Sequence, residues 1–347
     1  MGINMRKLLN TLYITSEDAY LSLNGECVVI TINKTEKHMV PLHTLQSIVC
    51  FSYAGASPAL MGKCAEKKIM ISFFSPSGKY LASSFGNTNG NVFLRHEQYR
   101  IADDATRSLV YAKNFVFSKL YNARYFLLKF CRDYPLRIDV ERVRTSAEQL
   151  KLCLTDAQRA GSADTLRGIE GSAASAYFDS FNELILQNQS FFRFRNRSRR
   201  PPLDRTNALL SFAYTLLAND CAAALHGVGL DPYVGFMHTE RSGRKSLALD
   251  LMEELRTIYA DRFVVTLINN RMISVNDVDE QGSGAVLLND AGRRRFLTEW
   301  QKRKRDTLIH PFLEEKVSWG LIPHIQALLL ARSVRRDLDQ YPPFFWK

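Results

Sequence analysis

A histidine and three acids within residues 238–254 are the side chains of this sequence best suited to chemistry. His238 ends a turn-rich stretch, and Asp250, Glu253 and Glu254 follow at positions i, i+3 and i+4 of a predicted helix. Acids at that spacing share one stripe of a helix, where they repel one another unless solvent or a cation lies between them. Imidazole together with carboxylates is a ligand set suited to Mn²⁺ or Mg²⁺. The segment therefore predicts a metal-dependent active site.

Two less specific interpretations of this segment stay open. A single histidine is more often structural than a ligand, and clustered acids usually form a solvated helix face. Apolar residues at helical spacing from Leu247 to Ile258 form the buried stripe of the same helix, and the acids flank it. Helical geometry alone does not decide which of Glu253 and Glu254 points into a site.

Glu170 is a second unusual carboxylate. On a predicted helix over 163–188 its neighbours at helical spacing are apolar: Leu166, Ala173, Ala174 and Tyr177. Buried carboxylates are rare unless they are paired or bind a metal. One interpretation is an ion pair with a single arginine. The other is that Glu170, His238 and an acid from 250–254 form one metal site between facing helices, which would polarise a phosphate oxygen.

The charge of the chain indicates a polyanionic partner. Lys and Arg number 46 against 35 Asp and Glu, which gives a net charge of +11. General surface basicity would explain the excess alone, but the cations cluster in "RFRNRSRRPP" (193–202) and "GRRRFLTEWQKRKR" (292–305). Arginine is frequent in both runs, and its forked donors suit phosphate contact.

Cysteine usage and hydropathy limit the class of protein. The six cysteines include no C-x-x-C pair, which makes a zinc ribbon unlikely and favours a reducing cytoplasm. No run of eighteen apolar residues and no signal-peptide pattern is present, so we expect neither a transmembrane helix nor a membrane partner.

The patterns predict an α+β protein, with a small β-rich N-terminal domain followed by a larger all-α catalytic domain. Alternating β-branched residues predict strands within 11–32, at 45–50, at 69–74 and after Ser77-Gly78, with a hairpin turn at Asn24-Gly25 and a helix over 57–67. From residue 91 the period is that of helices. We expect helices over 92–130 with a break near Asp103, and over 139–160, 163–188, 204–226, 247–268, 289–308 and 318–338, with a hairpin within 274–288.

The predicted domain boundaries follow from these elements. Residues 1–90 form the β-rich domain, 91–103 the linker and first helical turns, and 104–338 the helical domain. Residues 339–347 form a tail whose prolines prevent a helix, and we expect it to lie across a surface or a partner.

Three C-terminal motifs resemble those of the CRISPR-associated Cas1 family of adaptation integrases. They are "GIEGSAASAYF" (168–178), "RTNALLSFAYTLLAND" (205–220) and "GLDPYVGFMHTERSGRKSLALDLMEELR" (229–256), in the order in which the family has them. "VPLHTLQSIVCF", "FFSPSGKY" and "GNVFLRHEQYR" in the first hundred residues are also similar to that family. The resemblance covers nearly the whole chain. The arginine-rich loop and the ending "YPPFFWK" resemble the subtype I-C branch.

The resemblance implies a set of catalytic residues and a cofactor. Carried over by motif, the metal ligands are Glu170, His238 and Glu253, with Asp250 as a further catalytic residue and Mg²⁺ or Mn²⁺ as the ion. Some family members have aspartate at the position of Glu253, which leaves its coordination open. The implied reaction joins the 3′-hydroxyl ends of a short prespacer duplex to the leader-side repeat of a CRISPR array, and the same site acts as a nuclease with water.

The resemblance also implies partners. The β-rich domain would form a homodimer, and the small Cas2 protein would bridge two such dimers on double-stranded DNA. Cations of the basic runs and of the segment after His238 would then contact the DNA backbone: Arg193, Arg195, Arg197, Arg199, Arg200, Arg244, Lys245, Arg293, Arg294 and Arg295.

Three alternatives remain at the level of the sequence. A stand-alone metal nuclease would share the site but never join DNA. A non-enzymatic DNA-binding or assembly module would carry the acids as a solvated face. A metal phosphohydrolase of small nucleotides has the least support, since no tandem His-Asp pair occurs.

Overall fold

The computed structural model describes residues 11–75, 80–84, 86 and 92–346. They form two compact units. The first contains the described residues between 11 and 86 together with Leu288–Asp306, and the second contains the other described residues from 92 onward. This is the predicted combination of N-terminal strands and a helical C-terminal part.

The strands and helices follow in the order β1 (Thr11–Ile14), β2 (Tyr20–Asn24), β3 (Cys27–Ile32), β4 (Glu36–Pro41), β5 (Ser47–Cys50), α1 (Pro58–Glu66), β6 (Met70–Phe74), β7 (Tyr80–Ser84), α2 (Val92–Asp103), α3 (Ala105–Asp133), α4 (Val140–Arg159), α5 (Ala163–Asp179), α6 (Arg205–Val228), α7 (Ser246–Leu255), α8 (Arg262–Asn269), β8 (Val278–Glu280), β9 (Val286–Leu288), α9 (Asp290–Arg305), β10 (Thr307–Ile309), β11 (Lys316–Ser318) and α10 (Ile322–Val334). A π-helical turn, Arg256–Asp261, joins α7 to α8.

The first unit contains two sheets. One is antiparallel in the order β2-β3-β4, and the other has the order β1-β5-β6-β7, in which β1, β5 and β6 are parallel. Gly25, at φ +56°, makes the predicted hairpin turn between β2 and β3. The edge strand β4 was not predicted, because its sequence "EKHMVP" is largely exposed and shows no apolar alternation. The turn predicted at Ser77-Gly78 lies outside the described residues.

Helix α9 departs from the predicted division. The sequence analysis placed it in the helical domain, whereas it belongs to the same compact unit as the sheets. Its apolar side chains Phe296, Leu297 and Trp300 are buried, and Lys304 Nζ donates to Thr11 Oγ1 at 3.3 Å. Periodicity gives the buried face of a helix, but it does not say which sheet or helix covers that face.

The helices of the second unit begin at residues that cap them. Asp104 interrupts the helix near the predicted position and accepts from the N–H groups of Thr106 and Arg107, so that α3 starts anew. Asp139, Ser162 and Asp204 cap α4, α5 and α6 in the same way. The helix predicted over 163–188 is shorter, because α5 ends at Asp179 and a 3₁₀ turn follows.

Helix α3 is central in this unit, since it packs against α4, α5 and α7. α6 packs against α7 and α10. In the described part of the chain α6 is the one helix that is long and apolar enough to cross a membrane, and 67% of its most apolar window is buried inside the protein. Burial of that extent is typical of a core helix.

The tail after α10 lies across its own unit. Tyr341 and Phe344 are buried. Asn122 of α3 donates to the carbonyl of Phe344 at 2.8 Å and accepts from the N–H of Trp346 at 2.8 Å. The tail therefore lies across α3, in agreement with the expectation that it covers a surface.

Candidate metal centre

The neighbouring acids Glu253 and Glu254 have different partners. Glu254 is fully buried and accepts from the hydroxyl of Tyr341 and from the N–H of Phe344, the latter at 2.8 Å. Glu253 is 2% exposed, and its Oε1 lies 3.9 Å from His238 Nε2. The structure therefore brings Glu253 to the histidine and assigns Glu254 to the tail, a choice that helical geometry left open.

His238 is oriented by Asp250. This fully buried carboxylate accepts from the N–H groups of Phe236, Met237 and His238 at 2.6, 3.0 and 3.0 Å, and it lies 2.6 Å from His238 Nδ1. Because an ionised carboxylate can only accept, Nδ1 carries the proton, and the lone pair of the neutral ring is on Nε2. That tautomer is the one in which a histidine oriented by a carboxylate binds a metal.

Gly235 makes room for this arrangement. A Cβ at this position would lie 2.8 Å from Asp250 Oδ2 and 2.8 Å from Ser246 Cβ. Real Cβ atoms do not approach other atoms so closely, so any side chain here would displace either the loop or the carboxylate.

Glu170 and Glu253 meet at the ammonium group of Lys119. Lys119 Nζ contacts Glu170 Oε1 and lies 2.8 Å from Glu253 Oε2, while Arg256 Nη2 lies 2.7 Å from Glu253 Oε1. Burial raises the pKa of Glu253, but the charges of Arg256 and Lys119 lower it more, so that its pKa falls well below the ordinary value. Glu170 thus has a basic partner, but a lysine in place of the arginine considered from sequence.

Glu170, Glu253 and Nε2 of His238 are the groups that could hold a divalent cation. In the described part of the chain, no three His, Cys, Asp or Glu side chains are arranged to hold a metal ion as they stand, because Lys119 lies between the two glutamates. The donor chemistry nevertheless fits. Glu253 Oε2 is buried and lies 2.8 Å from Lys119 Nζ, and the ammonium group shows that this position accommodates a cation.

A second layer of polar residues supports Arg256. Tyr214 lies between two guanidinium groups, with the Cζ of Arg256 at 4.9 Å and that of Arg197 at 5.1 Å from its ring centroid. The hydroxyls of Tyr214 and Tyr177 donate to Asp261. Burial raises the pKa of Asp261 to about 6, although Tyr214 and Arg256 lower it. Tyr214 is therefore a core residue with a satisfied hydroxyl.

The predicted DNA-contacting cations differ in accessibility. Six of them are exposed: Arg193, Arg195, Arg199, Arg200, Arg294 and Arg295. Arg244 and Lys245, just before α7, are half-buried. Arg197 instead donates to Asn207 and to the backbone, and Arg293 is buried and pairs with Asp290. These last two guanidinium groups are bound inside the protein, which disfavours the DNA contacts predicted for them.

Lys119 and Arg256 were missed by the sequence analysis. Lys119 interrupts the apolar face of α3, where Phe115, Leu120 and Ala123 are all buried. A lysine in such a pattern is rarely buried without an acidic partner. The sequence pattern could therefore have identified Lys119 as the partner of an acid. Arg256 carried no comparable signal, because an arginine inside the helix predicted over 247–268 is ordinary.

Comparison with known proteins agrees with the motifs. The family profile described as CRISPR associated protein Cas1 matches residues 12–302. A relative named CRISPR-associated endonuclease Cas1 1, from Chlorobaculum tepidum, is 46% identical over 343 residues, which cover 99% of this chain and 100% of the relative.

Solved structures have the same fold. A CAS1 protein from Thermotoga maritima superposes with a TM-score of 0.81 at 22% identity, covering 97% of this chain and 100% of the other. A casposase bound to integration product has a TM-score of 0.82 at 22% identity, covering 95% and 92%. The profile match over most of the sequence and the relative of matching length show that this protein belongs to the Cas1 family of CRISPR-associated proteins.

Proposed function

We propose that this chain is a CRISPR adaptation integrase. It joins the 3′-hydroxyl ends of a short DNA duplex to the leader-side repeat of a CRISPR array by phosphoryl transfer, and it cleaves DNA as an endonuclease when water is the nucleophile. The observation that carries the proposal is the meeting of Glu170, His238 and Glu253, which come from distant parts of the sequence. The relative that is 46% identical is named as an endonuclease of this family.

Glu170, Glu253 and His238 Nε2 would hold the Mg²⁺ or Mn²⁺ ion. When bound, such an ion lowers the pKa of an attacking hydroxyl and stabilises charge on the phosphate. The protein's own residues prepare the ligands. Asp250 holds the proton on Nδ1 and so directs the Nε2 lone pair toward Glu253, and Arg256 keeps Glu253 ionised by its charge.

The exposed arginines supply contacts to the DNA backbone. Arg193, Arg195, Arg199 and Arg200 lie on the segment between α5 and α6, in the same unit as the site. Arg199 also lines a cavity with Lys119 and Arg256. A DNA backbone held along this segment would therefore reach the carboxylates of Glu170 and Glu253.

The partners and the setting follow from the family resemblance. The β-rich unit forms a homodimer, and Cas2 bridges two dimers on prespacer and repeat DNA. The resemblance of the loop "RFRNRSRRPP" and the segment "YPPFFWK" to the subtype I-C branch supports membership of that subtype. All six cysteines are free, as expected of a protein of the reducing cytoplasm.

A 3′-end joining assay tests the proposal. The protein is mixed with Cas2, Mn²⁺, a duplex with free 3′-hydroxyls and a repeat-containing target. Glu170→Gln, His238→Ala and Glu253→Gln should each lower joining at least about a hundredfold while DNA binding is retained. Glu315→Gln removes an exposed glutamate outside the site and is the matched control.

The outcomes separate the alternatives. Full joining activity in all three variants would reject the site. Neither joining nor cleavage by the wild type, with DNA binding retained, would favour a non-enzymatic assembly module. Cleavage without joined product in the wild type, even with Cas2 present, would favour a stand-alone nuclease.

A further inference from the structure

We propose that Lys119 couples metal binding to DNA binding. Its ammonium group holds the position between Glu170 and Glu253 that a divalent cation takes, and a phosphate of bound DNA receives the ammonium group when the cation enters. This inference rests on the proposed metal-dependent function and adds to it a lysine that controls when the metal binds.

The first support is the position of the ammonium group. Lys119 comes from α3, Glu170 from α5 and Glu253 from α7, and the two carboxylates converge on the one Nζ atom. The point between two carboxylates is where any cation gains most from their charge. A metal ion bound by both glutamates must therefore compete with Lys119 for that point.

The second support is the charge of the cluster. Within ion-pair contact, the two cations Lys119 and Arg256 face the two carboxylates Glu170 and Glu253. A divalent cation adds two positive charges to this balanced set. Glu253 is buried, so an uncompensated charge here is costly. The negative charge of a phosphodiester offsets part of that addition.

The third support is where a displaced ammonium group can go. The Lys119 side chain is only 10% exposed, so the ammonium group stays within the helical unit. Arg199 and Arg256 line the same cavity as Lys119, together with one acidic residue, Asp261. Three cations against one carboxylate attract a further anion. The phosphate of DNA is the anion that the proposed reaction supplies.

Lys119→Met isolates this role, because methionine keeps the apolar stem and removes the charge. Mn²⁺ binding is measured by electron paramagnetic resonance, with and without a duplex whose 3′ ends are dideoxy and cannot react. Lys113→Met is the matched control. Lys113 lies on the same helix, is half-buried and donates to the carbonyl of Gln158.

We expect Mn²⁺ to bind Lys119→Met about tenfold more tightly than the wild type in the absence of DNA, since a competing charge has been removed. DNA should tighten Mn²⁺ binding about tenfold in the wild type and in Lys113→Met, and by less than about twofold in Lys119→Met.

Thermal unfolding provides a readout independent of activity. Without its ammonium group the pair Glu170–Glu253 repels, so the Tm of Lys119→Met should fall without metal and rise more with Mn²⁺ than that of the wild type. If Lys119→Met folds only with Mn²⁺, that dependence itself supports the proposal. Lys119→Gln, a polar neutral variant, then serves for the binding measurement.

Equal or weaker Mn²⁺ binding by Lys119→Met and Lys119→Gln would overturn the proposal and leave Lys119 a purely structural partner of the carboxylates. That result differs from a failure of the proposed function itself, in which the wild type would bind no Mn²⁺ with or without DNA.

Discussion

Glu254 should make the stability of the helical unit depend on pH. Burial raises the pKa of this carboxyl from 4.5 to about 7, although hydrogen bonds from Tyr341, Phe344 and Gln326 lower it. A shift of that size corresponds to a free energy on the order of 3 kcal/mol. The pKa of Glu254 is higher in the folded protein than in the unfolded chain. Its contribution to the free energy of unfolding is therefore fully present below pH 4.5 and is lost as the pH rises to about 7.

The substitution Glu254→Gln removes this titration. The side chain stays neutral, and its carbonyl oxygen can still accept from Tyr341 or from the N–H of Phe344. We therefore expect the free energy of unfolding of the variant, relative to the wild type, to increase by about 3 kcal/mol between pH 4.5 and 8. Burial also raises the pKa of Asp261, to about 6, so this carboxyl lowers the free energy of unfolding of both proteins as the pH rises. Because the effect is the same in both, it cancels when the variant is compared with the wild type.

Urea unfolding at several pH values measures the effect. Trp319 and Trp346 report on the helical unit by fluorescence, and Trp319 lies against the buried Phe344. Glu315→Gln removes an exposed glutamate, and its free energy of unfolding should depend on pH as that of the wild type does. If the difference in free energy of unfolding between Glu254→Gln and the wild type stayed constant from pH 4.5 to 8, the reasoning would be refuted.

Three further predictions concern the site and the DNA surface. Gly235→Ala should place a methyl group against Asp250, lower stability by about 1–3 kcal/mol in thermal unfolding and reduce joining at least about tenfold; wild-type Tm and joining would contradict this. Replacing both Arg193 and Arg195 by alanine should reduce the slope of log Kd against log salt by about one per lost phosphate contact, measured by fluorescence anisotropy. Arg197→Ala should instead lower Tm, and a slope change without a Tm change would show that its guanidinium contacts DNA.

Much of the helical part could be predicted because its signals are local. Caps such as Asp104 and Ser162 coincide with the predicted breaks, and apolar stripes gave the helix positions. Strand β4 was missed because an exposed edge strand has no apolar alternation to detect. The place of α9 was missed because the partner of a buried helix face is a long-range property.

The sequence predicted the acids and the histidine of the site, but it did not predict the residues that pair with them. Glu253 and Glu254 are adjacent and chemically identical, and their partners in the fold distinguish them. The tail binds Glu254, whereas Lys119, Arg256 and His238 contact Glu253. Lys119 lies far from both glutamates in the sequence, and the folded chain was needed to show that it joins them. Residue type and spacing indicated Glu170 and His238, and motif resemblance supported them as metal ligands, whereas the charges that balance them depend on the packing of α3.

The tail also sets an order of assembly during synthesis. Residues 341–346 leave the ribosome after every other part of the site, and Tyr341 and Phe344 complete the surroundings of the acid beside Glu253. Until they emerge, Glu254 lacks those two donors on the helix that carries Glu253. The surroundings of the candidate site are therefore complete only once translation has passed this segment.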